Sequence, residues 1–249
     1  MVRSLPTTPA FLGLAAHPLR WRLLSELATS DYRVRELVEL TGQPQNLVSY
    51  HLRLLRDGGL VTARRSTFDA RDSYYHLDLE RCAQALAATG AALHPALRLT
   101  PAPPPPTPTC RLRVLFACTG NSARSPIAEA LLRHRTGGRV EAASAGSRPR
   151  PELHPGAVAV LREHYGIDVR GRRPRHLDTV AGRRFDYVIS LCDRVREVFP
   201  GFPGQPHRLH WSVPDPASAD AAGLLSVAAE IDTRIRYLLP VLTTQEVPS

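Results

Sequence analysis

The chain has 249 residues, 43% of them hydrophobic, and a formal net charge of +9 in which all 32 basic residues are arginine. That length accommodates one large or two small cored units, and no apolar run is long enough for a membrane span or the core of a secretory leader, so neither is expected. Four cysteines spread over the chain do not make a disulfide framework, which points to a reducing cytoplasm.

The first hundred residues read as short helices followed by a hairpin. Apolar spacing predicts helices over 9–16, 19–27 and 34–40. Thr41-Gly42-Gln43 makes a turn, and Pro44 at a first helical position starts a helix over 44–57 that Gly58-Gly59 ends. Strands over 60–65 and 73–77 enclose a polar loop, 66–72, and an alanine-rich helix over 79–93 closes the unit. The order is helix-turn-helix and then a β-wing. In the fourth helix Leu47, Leu52, Leu54 and Leu55 are the expected anchors, and Gln45, Asn46, Ser49, Tyr50, His51 and Arg53 form a polar face free of acids. Asn, Gln and Arg read base edges, Ser and Tyr bond phosphates, and Arg64, Arg65 and Arg71 on the wing would add backbone contacts. The alternative is an ordinary solvated helix face.

Residues 10–80 resemble the ArsR-type winged-helix repressors, through LAAHPLRWRLLSEL, VRELVELTGQPQNLVSYHLRLLRDGGLV and SYYHLDL. The resemblance implies binding of double-stranded DNA as a homodimer paired through the terminal helices. Arg33 and Arg35 stand where many relatives carry a Cys-x-Cys metalloid site, so that sensor is absent. Cys82 is either a packed thiol among Ala83, Ala85 and Leu86 or, with Cys110, a second thiolate pair.

Pro101-Ala102-Pro103-Pro104-Pro105-Pro106-Thr107-Pro108 can enter neither helix nor sheet and reads as an extended spacer. The expected organisation is a winged helix-turn-helix domain over 1–98, mostly α with a β-wing, a Pro-rich linker over 99–110 and an α/β domain over 111–242. In the latter, strands over 112–117, 140–143, 185–191 and 208–211 alternate with helices from 126, from 155, after the third strand and over 224–239. Such alternation predicts a four-stranded parallel sheet flanked by helices, with ligands at the carboxyl ends of the strands.

Four chemically suggestive features fall at that edge: Cys118, Ser144-Ala145-Gly146, Cys192 and Asp215 between Pro214 and Pro216. Between the first strand and its helix run Cys118-Thr119-Gly120-Asn121-Ser122-Ala123-Arg124-Ser125. A loop entering a helix N-terminus offers amide donors and a favourable dipole to an anion, and Arg124 adds a bidentate clamp. Such a field favours the thiolate of a cysteine held at its mouth, which makes Cys118 a candidate nucleophile. Asp215 is the natural general acid for a leaving group on an oxyanion held there. His154, His164, His207 and His210 show no metal-ligand spacing, and no metal is expected.

Residues 111–240 resemble the low-molecular-weight protein tyrosine phosphatase superfamily and its arsenate reductase branch, through VLFACTGNSARSPIAEALL, SAGSRPRPELHPGAVAVLREHYGIDVRGRRPRHLD and HWSVPDP. The resemblance implies Cys118 as nucleophile, Arg124 as anion clamp, Ser125 as hydrogen-bond donor to the thiolate, Asn121 as loop organiser and Asp215 as general acid. Ala217-Ser218 occupy the place of the aromatic pair that holds a phosphotyrosine ring, which favours arsenate over phosphotyrosine. Cys192 sits where thioredoxin-coupled reductases keep a second redox cysteine, but Phe199 fills the position of a third. The implied activity is arsenate reduction with no bound cofactor and an external reductant, a thioredoxin-like protein or a small thiol such as mycothiol. Two alternatives stay open: a phosphatase acting on phosphomonoesters, and a transcription regulator whose second domain only senses oxyanion.

Overall fold

The computed structural model describes residues 8–97, 112–216 and 220–244. The chain divides into two compact units, residues 1–102 and 103–249. The proline-rich segment 99–110, Cys110 and Ala217-Ser218 lie outside the described residues.

The first unit runs α1 (Ala10–Ala15), α2 (Pro18–Leu27), β1 (Tyr32–Arg33), α3 (Val34–Thr41), α4 (Gln45–Asp57), β2 (Val61–Arg65), β3 (Ser73–Leu77) and α5 (Leu79–Leu93), followed by a 3₁₀ turn at Pro95–Leu97. Local chemistry sets the boundaries. The His17 ring accepts the Leu19 amide at 3.2 Å ahead of Pro18, Gly42 ends α3 with φ of 66°, and the Asp78 carboxylate accepts the Arg81 amide at 3.0 Å to start α5. The wing is a three-stranded antiparallel sheet ordered β1-β3-β2, in which Tyr75 pairs with Tyr32 on one side and Ala63 on the other. Two-residue β1 carries no periodic signal and was not expected.

One expectation on α4 needs correcting. Pro44 is the N-cap in an extended conformation, and the helix starts at Gln45. The buried face is Val48, His51, Leu52 and Leu55, an i, i+3, i+4, i+7 pattern, while Leu47 is exposed and Leu54 half-buried. The core-facing stripe thus begins one residue later than the leucines suggest.

The second unit contains β4 (Arg113–Cys118), α6 (Arg124–Arg135), β5 (Glu141–Gly146), α7 (Pro155–Tyr165), α8 (Asp178–Ala181), β6 (Tyr187–Ser190), α9 (Asp193–Glu197), β7 (His207–His210) and α10 (Ala221–Thr244). All strand pairs are parallel, in the order β5-β4-β6-β7. Val114, Leu115, Phe116 and Ala117 of β4 are all buried, as a central parallel strand covered on both faces requires. Helix α6 packs over β4 and β5 and against α10, while α9 leans on β4 and β6. Two boundaries differ from expectation in ways that matter below. Strand β5 extends through Ser144-Ala145-Gly146, and α6 begins at Arg124, with Pro126 in the first turn, where its missing amide costs nothing. No described helix is long and apolar enough to cross a membrane.

Candidate oxyanion site

Cys118 is the last residue of β4 and Arg124 the first of α6, so residues 119–123 form the whole connection. Asn121 takes the left-handed conformation, φ 45°, which asparagine tolerates better than most side-chain-bearing residues. The loop carbonyls are turned outward and held there. Those of Cys118, Thr119, Gly120 and Ser122 accept the amides of Ser147, Arg148, Arg150 and His154 at 3.3, 2.8, 2.9 and 2.8 Å. Among the described residues, none of the amides from Thr119 to Ser125 donates to a backbone acceptor, which leaves them for an anion at the helix N-terminus.

The approach of β5 to this loop demands glycine. A Cβ on Gly146 would lie 2.6 Å from the Thr119 carbonyl oxygen and 2.9 Å from the Asn121 nitrogen, both backbone atoms that cannot swing away. Gly146→Ala is expected to keep the fold, seen as unchanged far-ultraviolet circular dichroism, but to displace the loop and lower turnover about a hundredfold. Unchanged turnover would show that the loop tolerates the shift.

The hydrogen bonds behind the loop have a definite sense. The Arg175 amide donates to Asn121 Oδ1 at 2.8 Å, so the Asn121 amide group presents Nδ2 to Ser125 Oγ and Ser144 Oγ, each at 2.9 Å. Ser144 in turn donates to the buried Glu129 carboxylate at 2.6 Å. Because Ser125 Oγ accepts from Asn121, its own proton is free to point at Cys118 Sγ, 3.0 Å away.

Arg124 is 7% exposed, donating from Nη1 to the Val213 carbonyl at 3.1 Å and standing with Nη2 3.5 Å from Asp215 Oδ2. Asp215 itself is 57% exposed, at the mouth. Cys192 precedes α9, is buried, and has its Sγ 3.3 Å from Thr119 Oγ1. Burial pushes the Cys192 thiol up, and the Arg124 guanidinium pulls against that shift. Phe199 packs edge-on to Phe202 with ring centroids 6.0 Å apart. The structure therefore gathers Cys118, Arg124, Ser125, Asp215 and Cys192 at one edge of the sheet. Gly146, expected at this edge with Ser144 and Ala145, belongs to the same construction, as do Glu129, Arg175 and Val213, which carry no expectation from the sequence. An acid among the buried Ala128, Ala130 and Leu131 is the signal that would have found Glu129.

In the first unit Gln45, Asn46, Ser49, Tyr50 and Arg53 share the exposed face of α4, with the Arg53 guanidinium 5.6 Å from the centre of the Tyr50 ring. His51 does not belong with them. It is 4% exposed, its ring centroid lies 4.3 Å from that of His17, and burial with the nearby His17 and Arg20 lowers its pKa. The helical repeat explains this: residue 51 is three after Val48 and points to the core. On the wing Arg65 and Arg71 are exposed and Arg64 is half-buried. Arg33 and Arg35 are tied up in carboxylates: Arg33 lies 3.1 Å from Glu36 and 3.4 Å from Asp72, and Arg35 lies 3.3 Å from Asp72. Cys82 is half-buried against the core, its thiol pushed up to about 11 by burial and by Asp78, which suits packing better than ligation.

Residues 113–247 match the model of the family described as low molecular weight phosphotyrosine protein phosphatase, and residues 17–63 that of the bacterial regulatory proteins of the arsR family. An arsenate reductase of Bacillus cereus (strain Q1) is 33% identical over 123 residues, 49% of this chain and 90% of that protein. An arsenate reductase of Halalkalibacterium halodurans is 34% identical over 107 residues, 43% of this chain and 76% of its own length. Among solved structures, a low molecular weight protein tyrosine phosphatase from T. tengcongensis shares 28% identity, covering 52% of this chain and 99% of its own, with a TM-score of 0.46.

Proposed function

This chain belongs to the low molecular weight phosphotyrosine protein phosphatase family and carries an arsR-family regulatory unit ahead of that domain, and we propose that it is an enzyme reducing arsenate to arsenite through Cys118. The observation that carries the choice is the second thiol: Cys192 sits one hydroxyl away from the loop that starts at Cys118, and hydrolysis of a phosphomonoester has no use for it.

In this reading the loop amides and Arg124 hold arsenate, and the Cys118 thiolate attacks As(V). A hydroxide leaves, takes the Asp215 proton and departs as water. The Cys192 thiolate then attacks Cys118 sulfur. A sulfur–sulfur bond forms, the sulfur–arsenic bond breaks, and its electron pair stays on arsenic, which leaves as arsenite. Two thiols have become one disulfide, and an external thiol donor, a thioredoxin-like protein or a small thiol such as mycothiol, restores them. Cys192→Ala is expected to cut multiple turnover about a hundredfold with every donor, because the adduct forms but cannot be resolved internally. Full turnover of this variant with a small-thiol system would remove Cys192 from the cycle.

A second reading, phosphomonoester hydrolysis, draws on the phosphatase description of the matched family and on a loop that accepts phosphate as readily as arsenate. The winged unit would bind double-stranded DNA through the exposed residues of α4 and the wing. Exposed Leu12 on α1 and Leu86 and Leu93 on α5 supply the apolar surface for a homodimer. A cytoplasmic location is part of this reading, and the arsR-family unit supports it.

A further inference from the structure

Behind the loop, on the far side of the Asn121–Ser144 pair from Cys118 in the hydrogen-bond chain, lies a cavity of about 340 Å³. Neither Cys118 nor Arg124 lines it. Four guanidinium groups do, those of Arg133, Arg172, Arg173 and Arg175, and one carboxylate, Glu129. We propose that this cavity is a second anion site, which takes a free tetrahedral dianion of the inorganic phosphate or arsenate class.

The charge balance carries the proposal. Glu129 is nearly fully buried and its oxygens are already spoken for: Oε1 accepts from Arg133 and Arg172, each at 2.8 Å, and Oε2 accepts from Ser144 at 2.6 Å with Arg175 3.5 Å away. One negative charge thus faces four positive ones, and the surplus has no second carboxylate in the lining. A guanidinium has five N–H donors in a rigid fork, so Arg172 and Arg175, which each place one nitrogen at Glu129, keep further donors for a ligand, while Arg133 also donates to the Ala142 carbonyl at 3.0 Å. Arg173 is exposed and makes no ion pair among the described residues, so its whole fork is available.

The arginines are also held in place. The Arg175 amide donates to Asn121 at 2.8 Å and its carbonyl accepts the Gly146 amide at 2.9 Å, which pins the stretch from which three of the four project. Glu129 pulls Arg133 and Arg172 together from different elements, an ordering that an incoming anion does not have to supply. The same charges repel a cation. Because Asn121 lines the cavity and its amide donates both to Ser125, which faces Cys118, and to Ser144 in the same lining, an anion bound here braces the loop from behind.

The test is phosphate binding to the full chain, followed by equilibrium dialysis with inorganic phosphate. Arg124→Ala, which disables the loop's own clamp, should leave a saturable site. Arg173→Glu in that background should weaken it roughly tenfold or more, the cost of one charge-assisted contact made repulsive. Among the described residues Arg173 makes no hydrogen bond or ion pair with Glu129 or its partners, so this change is expected to spare the fold. In the parent chain, Arg173→Glu alone should weaken one of two sites by the same factor and leave the other unchanged. The proposal is overturned if Arg124→Ala binds no phosphate, if Arg173→Glu leaves binding unchanged, or if only organic phosphomonoesters bind. Failure of the reductase reading shows differently: no arsenite forms from arsenate with any thiol donor, while both phosphate sites persist.

Discussion

A Cys118→Ser chain is expected to reduce arsenate at least about 10⁴-fold more slowly than its parent, measured as arsenite released with excess thiol donor. Serine fills nearly the same volume at the end of β4, so the buried strand and the loop should stay in place. The amides of the loop and Arg124 are unchanged, and the variant should still bind arsenate. What it loses is the nucleophile, since a hydroxyl facing the Ser125 proton does not ionise near neutral pH, and it cannot form the sulfur bond through which two electrons reach arsenic. Loss of rate with retained binding is therefore the diagnostic pair. Arsenite release at an appreciable rate would put the nucleophile elsewhere.

Arg124→Lys is the second large effect, expected to lower turnover about 10²–10³-fold despite keeping the charge. The guanidinium does two things at once: one nitrogen donates to the Val213 carbonyl and the other stands 3.5 Å from Asp215. That grip fixes the plane of the fork so that its remaining donors aim into the loop. An ammonium group on a flexible stem cannot both satisfy Val213 and present two parallel bonds to an oxyanion. If lysine preserved the rate, the site would need only positive charge near the loop, and the bidentate geometry would be irrelevant to it.

Much of the second unit is legible in its residues. The strand-to-loop-to-helix order around Cys118 is written in contiguous sequence, because an apolar run, an Asn121 that tolerates the left-handed conformation and a helix pattern from Pro126 follow one another within a few positions, although α6 itself opens two residues earlier at Arg124. The parallel sheet follows from alternation, and Asp215 from its place after the last strand. The supports of the loop are a different matter. The Arg175 amide reaches Asn121 across 54 residues, and Glu129 meets Arg172 across 43, and neither contact leaves a local pattern. Gly146 is placed at the edge by the sequence, but the need for glycine there emerges only when β5 is seen lying against the loop. In the first unit the helix order was readable, but the face of α4 was not read correctly throughout. With Pro44 outside the helix, the stripe through Val48 and Leu52 turns His51 inward, and a polar residue type gave no hint of that burial.

The measurement that bears most directly on the central claim is arsenite formation by the purified full chain, supplied with arsenate and, in turn, a thioredoxin-type donor and a small-thiol donor. The account predicts arsenite in equal amount to the disulfide formed, with at least one donor, and none from Cys118→Ser. Rapid hydrolysis of an aryl phosphate with no arsenite from any donor would contradict it and leave the loop a phosphatase site.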